Sequence, residues 1–239
     1  MTSTSLFAKA SVPAIVSALA LAFAGSAHAD YSQGFDAGIP GAWTIQNNSD
    51  PVGSTTWFQG NPTPTTFAAQ AGAANSYAAA NYNSTAGAGT ISNWLILPTM
   101  SFHNGDQISF YTRTITDSIY PDRLELRFSA AGGTNVGSSA SDVGSFTTLL
   151  VSVNPDLDLS TYPEEWTKYS VTLSGLAGTT NGALAFRYFV DNGGPAGDNS
   201  DYMGIDTLNI TAAVPEPTSY ALMALGLGAL ALRRKQKQA

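Results

Sequence analysis

The sequence predicts an all-β fold, a sandwich or jelly roll spanning residues 30–213. Three observations predict it. Helical periodicity is nearly absent from this stretch, whereas short runs of alternating apolar and polar residues recur along it. Clusters of Gly, Asn, Ser and Pro separate those runs, as turns separate strands. Finally, no repeat of fixed period and no internal linker marks a second domain, so the segment reads as one core.

In Gln107–Arg113, Ile108, Phe110 and Thr112 alternate with Ser109, Tyr111 and Arg113. Arg123–Ser129 sets Leu124, Leu126 and Phe128 against Glu125 and Arg127. Leu149–Val153 and Lys168–Leu173 repeat the pattern. In Leu184–Val190 one face carries Phe186, Tyr188 and Val190, and the other mixes Arg187 with Phe189. A strand apolar on both faces belongs in the middle of a sheet, covered from two sides. Tyr202–Ile210 changes parity between Ile205 and Leu208, the mark of a β-bulge. Asn47–Thr66, Ala68–Ala74 and Ala130–Gly144 read as long loops.

The two ends of the chain read as targeting segments. Lys9 precedes the apolar run Val12–Ala24, and Ala27-His28-Ala29 gives a small-x-small cleavage site, which predicts a signal peptide over residues 1–29. At the other end, Val214-Pro215-Glu216-Pro217 leads into the uncharged run Tyr220–Leu232, followed by Arg233, Arg234, Lys235 and Lys237. A helix over Thr218–Leu232 would be about 22 Å long, marginal for a hydrocarbon core of about 30 Å. The basic cluster predicts a cytoplasmic C-terminus and places everything before Val214 outside. Residues 214–239 resemble the PEP-CTERM sorting signal. That resemblance implies that an exosortase in a Gram-negative envelope reads Pro215, Glu216 and Pro217 and that the helix is then removed. The expected route is Sec-type export, transient anchoring in the inner membrane, then release to the cell surface or the extracellular polysaccharide.

Composition narrows the function. Between the targeting segments lie five basic and sixteen acidic residues, a net charge of −11, against −7 for the whole chain. Such a field repels nucleic acid and favours cations. The chain contains no cysteine, which excludes disulfides, thiol catalysis and thiolate metal sites. Once the signal is removed His103 is the remaining histidine, too few for a histidine-rich zinc site.

Across the central segment, FDAGIPGAWTIQNN (Phe35–Asn48), NWLILP (Asn93–Pro98), DRLELRFSAAGG (Asp122–Gly133), EEWTKYSVTLSGLAG (Glu164–Gly178), LAFRYFV (Leu184–Val190) and GIDTLNI (Gly204–Ile210) stand in an order that resembles the choice-of-anchor J domain, related to cleaved-adhesin and MAM-type jelly rolls. The resemblance implies a jelly-roll β-sandwich that binds or adheres. It also implies one structural Ca²⁺ between the N-terminal loop and the last strand, with Asp36 and Asp206 as ligands and Glu125 as a third. A salt bridge from Asp206 to Arg123 or Arg127 is the rival reading. The acids of Asp191–Asp201 fit either oxygen ligation of calcium or solvated turns.

Several aromatic residues, Trp57, Phe58, Tyr77, Tyr82, Tyr120, Tyr162 and Trp166, lie in or beside polar loops, where an exposed ring can stack on a sugar. Trp57 and Tyr120 are the expected exposed pair, while Trp43, Trp94 and Trp166 are expected in the core. The function expected is a non-catalytic adhesion or polysaccharide-binding module. The alternatives are a carbohydrate-active hydrolase drawing on Glu125, Glu164 or Glu165, and a purely structural envelope protein. His103, in FHNGDQ, reads as part of a turn before a strand.

Overall fold

The computed structural model describes residues 30–213 and, beyond them, residue 226. The expected signal peptide, with Ala27 and Ala29, and the expected C-terminal helix, with Pro215, Glu216 and Pro217, lie outside the described residues. Among the described residues no helix is long and apolar enough to cross a membrane.

The strands, in chain order, are β1 (Tyr31–Gln33), β2 (Thr44–Asn47), β3 (Asp50–Val52), β4 (Phe58–Gln59), β5 (Ala78–Asn81), β6 (Thr85–Ile96), β7 (Met100–Phe102), β8 (Gln107–Thr114), β9 (Leu124–Ser129), β10 (Thr148–Val153), β11 (Thr167–Thr172), β12 (Thr180–Gly193) and β13 (Tyr202–Thr211). They build two sheets, a β-sandwich as expected. One sheet runs β11-β8-β13-β5-β4, with β1 also on β13. The other runs β10-β9-β12-β6-β2, with β3 on β6 and β7 on β12.

Alternation decides which side chains enter the core. Leu124, Leu126 and Phe128 of β9 face Ile108 and Phe110 of β8 and Ile205, Leu208 and Ile210 of β13, with Phe186, Tyr188 and Val190 of β12 among them. Each such ring or branched chain contributes about 1.5–3 kcal/mol by leaving water. The parity change in β13 is a bulge: its register against β8 shifts between Asp206 and Asn209, and Thr207 takes φ 49°. At the same point the strand beside β13 changes. β5 pairs with Tyr202–Ile205, and β1 with Leu208–Ile210.

Both outer faces are roofed by loops. On the β13 sheet, Phe67 packs with Tyr77, Ala79 and Tyr202, and Trp166 is half-buried beside them. That cluster explains the alanine run of β5: Ala78 and Ala80 face the main core while Ala79 makes room for rings outside. A Cβ on the neighbouring Gly204 would lie 2.9 Å from the Phe67 and Tyr77 rings.

On the other sheet, Val136 and Phe146 of the loop after β9 cover Trp94, Ile96, Ala183 and Ala185. β12 is the central strand there, and its mixed face is buried as expected. Arg187 is 1% exposed, its guanidinium 3.6 Å from the Phe189 ring centroid and 4.9 Å from that of Trp94. It donates to Ser92 Oγ (3.1 Å), to Glu125 (3.2 Å) and to the Ala140 carbonyl.

Glu125, expected as a third calcium ligand, is occupied here instead. Arg127 Nε donates to its Oε2 at 2.6 Å and Arg127 Nη2 to its Oε1 at 3.2 Å. Burial works to raise its pKa, yet the two guanidiniums outweigh burial and hold the carboxyl below its usual range. A carboxylate answering two arginines is already neutralised. Its removal leaves Arg187 charged and sealed. Glu125→Ala is therefore expected to cost about 3–5 kcal/mol in urea-unfolding free energy, whereas Glu165→Ala, which removes an exposed carboxylate from a buried Arg113 that also donates to the Thr114 carbonyl and the Thr116 hydroxyl, should cost under about 1 kcal/mol.

Candidate ligand-binding cleft

One end of the sandwich carries a cleft of about 370 Å³, lined by Tyr82, Tyr120, Gly194, Pro195, Gly197, Ser200 and Asp201. Tyr82 opens a single 3-10 turn between β5 and β6, capped by the Asn81 side chain, which accepts from the Asn83 amide. Tyr120 belongs to the β8–β9 connection. Both rings face solvent, 38% and 42% exposed. The opposite wall is the glycine-rich turn that joins β12 to β13. Gly194 has φ 101°, and a Cβ there would meet the Gly87 carbonyl at 2.3 Å. A Cβ on Gly197 would meet the Asn192 carbonyl at 2.3 Å. Only glycine lets this turn lie so close to the start of β6 at Gly194 and fold so tightly on itself at Gly197.

Beneath the cleft lies Asp122, fully buried. Its Oδ1 accepts from Tyr188 (2.5 Å) and from the Asp201 amide (2.8 Å), and its Oδ2 from Thr114 (2.7 Å). Those partners come from β12, from the lead into β13 and from β8, so one carboxyl joins both sheets under the site. The Thr114 hydroxyl also lies 3.1 Å from the Tyr202 carbonyl, two acceptors for one proton. If Oδ2 is protonated it donates to Thr114, and Thr114 is then released to donate to Tyr202. Burial pushes the Asp122 pKa up to about 6 against the hydrogen bonds that favour the anion. Above it, Asp201 accepts from the Ser118 hydroxyl at 2.7 Å, and burial raises its pKa too.

Of the expected sugar-binding pair, Tyr120 lines the cleft but Trp57 does not. Trp57 is 2% exposed in the main core, and its indole N–H donates to the Asn93 carbonyl at 3.0 Å. Its Ser/Thr/Gly surroundings suggested an open loop, but a large apolar ring beside a strand packs inward. Tyr77 and Tyr162 are buried as well. The second exposed ring at the cleft is Tyr82.

Asp36 and Asp206 both border the segment 70–76. Asp206 Oδ2 accepts the Gln70 and Ala71 amides at 2.8 and 3.1 Å, and Oδ1 accepts that of Thr207 at 2.5 Å. It thus fills the gap in the ladder between β5 and β1, without the salt bridge of the rival reading. Arg123 pairs with Asp191 and Arg127 with Glu125. Asp36 accepts from Ser76 at 2.8 Å, and a Cβ on Gly72 would meet its Oδ1 at 2.2 Å. Nearby, the Gln59 amide donates to the carbonyls of Phe35 and Asn75 while its Oε1 is buried with no hydrogen-bond partner. Carboxylates, an amide oxygen and backbone carbonyls are the ligand types of a calcium site, though both oxygens of Asp206 already accept peptide N–H groups. Among the described residues no three His, Cys, Asp or Glu side chains converge on one point, so carbonyls would have to complete it. His103 sits in the turn before β8, its amide donating to Asp106 and its ring 2.9 Å from the Thr179 hydroxyl.

Comparison with known proteins bears on both parts of the chain. Residues 213–235 match the PEP-CTERM protein-sorting motif, which indicates export and membrane-associated sorting to the cell surface. No curated protein matches the chain. Among solved structures, the sandwich is similar to the K1 cleaved adhesin domain of Lys-gingipain from Porphyromonas gingivalis, with TM-score 0.54 and 22% identity over 77% of this chain and 99% of that one. The K3 domain of the same protein aligns with TM-score 0.52 and 18% identity, over 77% and 100%. A xylan-binding domain from Paenibacillus barcinonensis aligns with TM-score 0.46 and 14% identity, over 78% and 95%. At these identities the likeness to the adhesin domains is one of fold.

The buried Asp122 makes a pH prediction. Its pKa is higher in the folded state (about 6) than in the unfolded chain (3.8), so the folded state holds the proton more tightly. Its stabilising contribution is complete below about pH 4, falls as pH rises towards 6, and is level above that. Asp122→Asn mimics the protonated acid. The stability difference between wild type and Asp122→Asn should therefore shift by about 2–3 kcal/mol in favour of the variant between pH 3.5 and 7. Parallel stability curves would contradict this.

Proposed function

We propose that this protein is a non-catalytic adhesion module that binds extracellular polysaccharide. In this reading the Sec-type machinery exports it, the inner membrane holds it transiently, and an exosortase processes it at Pro215-Glu216-Pro217. It is then displayed on the surface or in the matrix of a Gram-negative bacterium. In this reading the sandwich is a choice-of-anchor J domain, which the order of its sequence motifs supports.

The observation that carries the binding role is the pair of exposed rings, Tyr82 and Tyr120, on a polar cleft. Tyrosine rings at the surface cost apolar exposure, and sugars offer C–H faces that stack on them while hydroxyls meet polar groups between. Glycoside cleavage needs two carboxyls about 5–9.5 Å apart and both open to substrate. The lining supplies Asp201 alone, since Asp122 is sealed beneath it. Glu125 is held by arginines on the other sheet, and Glu165 is exposed beside Arg113. The cleft thus has the parts for retention and lacks a paired acid and base.

Tyr82→Ala and Tyr120→Ala are each expected to weaken retention on the host's own polysaccharide by about 1–2 kcal/mol, or five- to thirtyfold, with the melting temperature unchanged. Release of reducing sugar by the purified protein would reverse the assignment.

We also assign Asp36 and Asp206 as the carboxylates of a structural calcium site, with Gln59 Oε1 contributing. The ion would tie the loop after β1 to the bulge in β13. Millimolar Ca²⁺ should raise the melting temperature over that in chelator, and Asp206→Ala should abolish the rise. An identical melt with and without chelator removes calcium from the account.

A further inference from the structure

We propose that the cleft selects sugars bearing a protonated amine, as in partly deacetylated amino-sugar polymers, with Asp201 as the residue that reads the charge. The proposal rests on the reading of the cleft as a glycan site and goes further by naming the class of glycan.

Three observations lead to it. The first is the lining, which contains no Arg, Lys or His: Tyr82, Tyr120 and Ser200 supply hydroxyls, the glycine-rich turn supplies peptide groups, and Asp201 supplies the one charge. The second is where the sandwich spends its cations. Arg113 pairs with Glu165, Arg123 with Asp191, and Arg127 and Arg187 with Glu125, and Lys168 stands on β11 in the strand order's edge position. Among the described residues no ion pair reaches Asp201. The third is how that carboxylate is held. A neutral donor fixes it, the Ser118 hydroxyl at 2.7 Å. The Asp201 amide in turn is anchored to the buried Asp122.

A preset, partly desolvated carboxylate without a cation gains more from an incoming ammonium than from a hydroxyl, because the charge-assisted bond is about twice as strong. The tyrosine faces add attraction for the same cation. A uronate or sulfated sugar would instead set two anions together in a partly dry cleft. The net charge of −11 between the targeting segments, sixteen acidic against five basic residues, enriches a polycation near the surface and repels a polyanion.

The test measures affinity of the purified protein for three hexamers, glucosamine, N-acetylglucosamine and guluronate, by calorimetry at low and high salt. The wild type should bind the glucosamine hexamer about tenfold or more tightly than its acetylated counterpart, and should not bind guluronate measurably. Asp201→Asn, with an unchanged melting temperature, should bring the first two within about twofold. Equal wild-type affinities for the two amino-sugar hexamers would overturn the charge selection and leave the glycan site standing. So would a preference that survives in Asp201→Asn, since the overall field would then be responsible. Tighter binding of guluronate would overturn it outright. If none of the three binds, and neutral β-glucan and the host polysaccharide are not retained either, the glycan reading falls together with it. The wild-type comparison needs no variant, so a misfolded Asp201→Asn leaves the test intact.

Discussion

A single carboxyl group without access to water fastens the two sheets together beneath the cleft. Asp122 accepts from Tyr188 on β12, from Thr114 on β8 and from the Asp201 amide at the entry to β13. The hydrogen bonds of each sheet hold its own strands, but nothing in a ladder sets the distance between one sheet and the other. Apolar packing sets that distance loosely, since side chains can slide, and a directional contact sets it tightly. Here the directional contact falls under the loops that carry Tyr120 and Asp201, so the positions of both depend on it. A further carbonyl contact spreads the same junction outward, because Asn154 donates to the Asp122 backbone oxygen at 2.9 Å.

The second half of the chain was far easier to read than the first. From β8 onward alternation is clear in β8, β9 and β11, and the residues named for one face of β9 do share it: Leu124, Leu126 and Phe128 face the core while Glu125 and Arg127 face the other side. The burial of both faces at β12 and the bulge in β13 were visible for the same reason, as local departures from a period of two. Before β8 the pattern fails. β5 is a run of alanines and β6 opens on Thr-Ala-Gly-Ala-Gly, residues of low strand preference, and in β5 the value of Ala79 lies in being small beneath Phe67 and Tyr77. Size complementarity of this kind belongs to the neighbour and leaves no trace in the strand itself.

The site was legible in part, and the reasons are instructive. Tyr120 was readable as an exposed ring because its polar loop leaves it open to solvent. Trp57 was misleading because loop composition describes the backbone path and says nothing of where one ring turns. Glu125 misled in the opposite sense: a carboxylate on an alternating strand gives no sign that two arginines, one of them sixty-two residues along the chain, will close on it. Asp206 needed a partner, as expected of an inward carboxylate, but that partner was the peptide N–H groups of a loop too featureless to attract notice. Pairings that depend on the returning chain cannot be seen from one strand.

The glycine turn that walls the cleft has an evolutionary corollary. At Gly194 and Gly197 even a methyl group would collide with main-chain oxygen, so those two positions of the cleft wall are closed to ordinary substitution. The segment around Tyr120 and the position of Tyr82, both exposed, carry no such constraint. One bank of the channel is fixed masonry, and change has to proceed from the other.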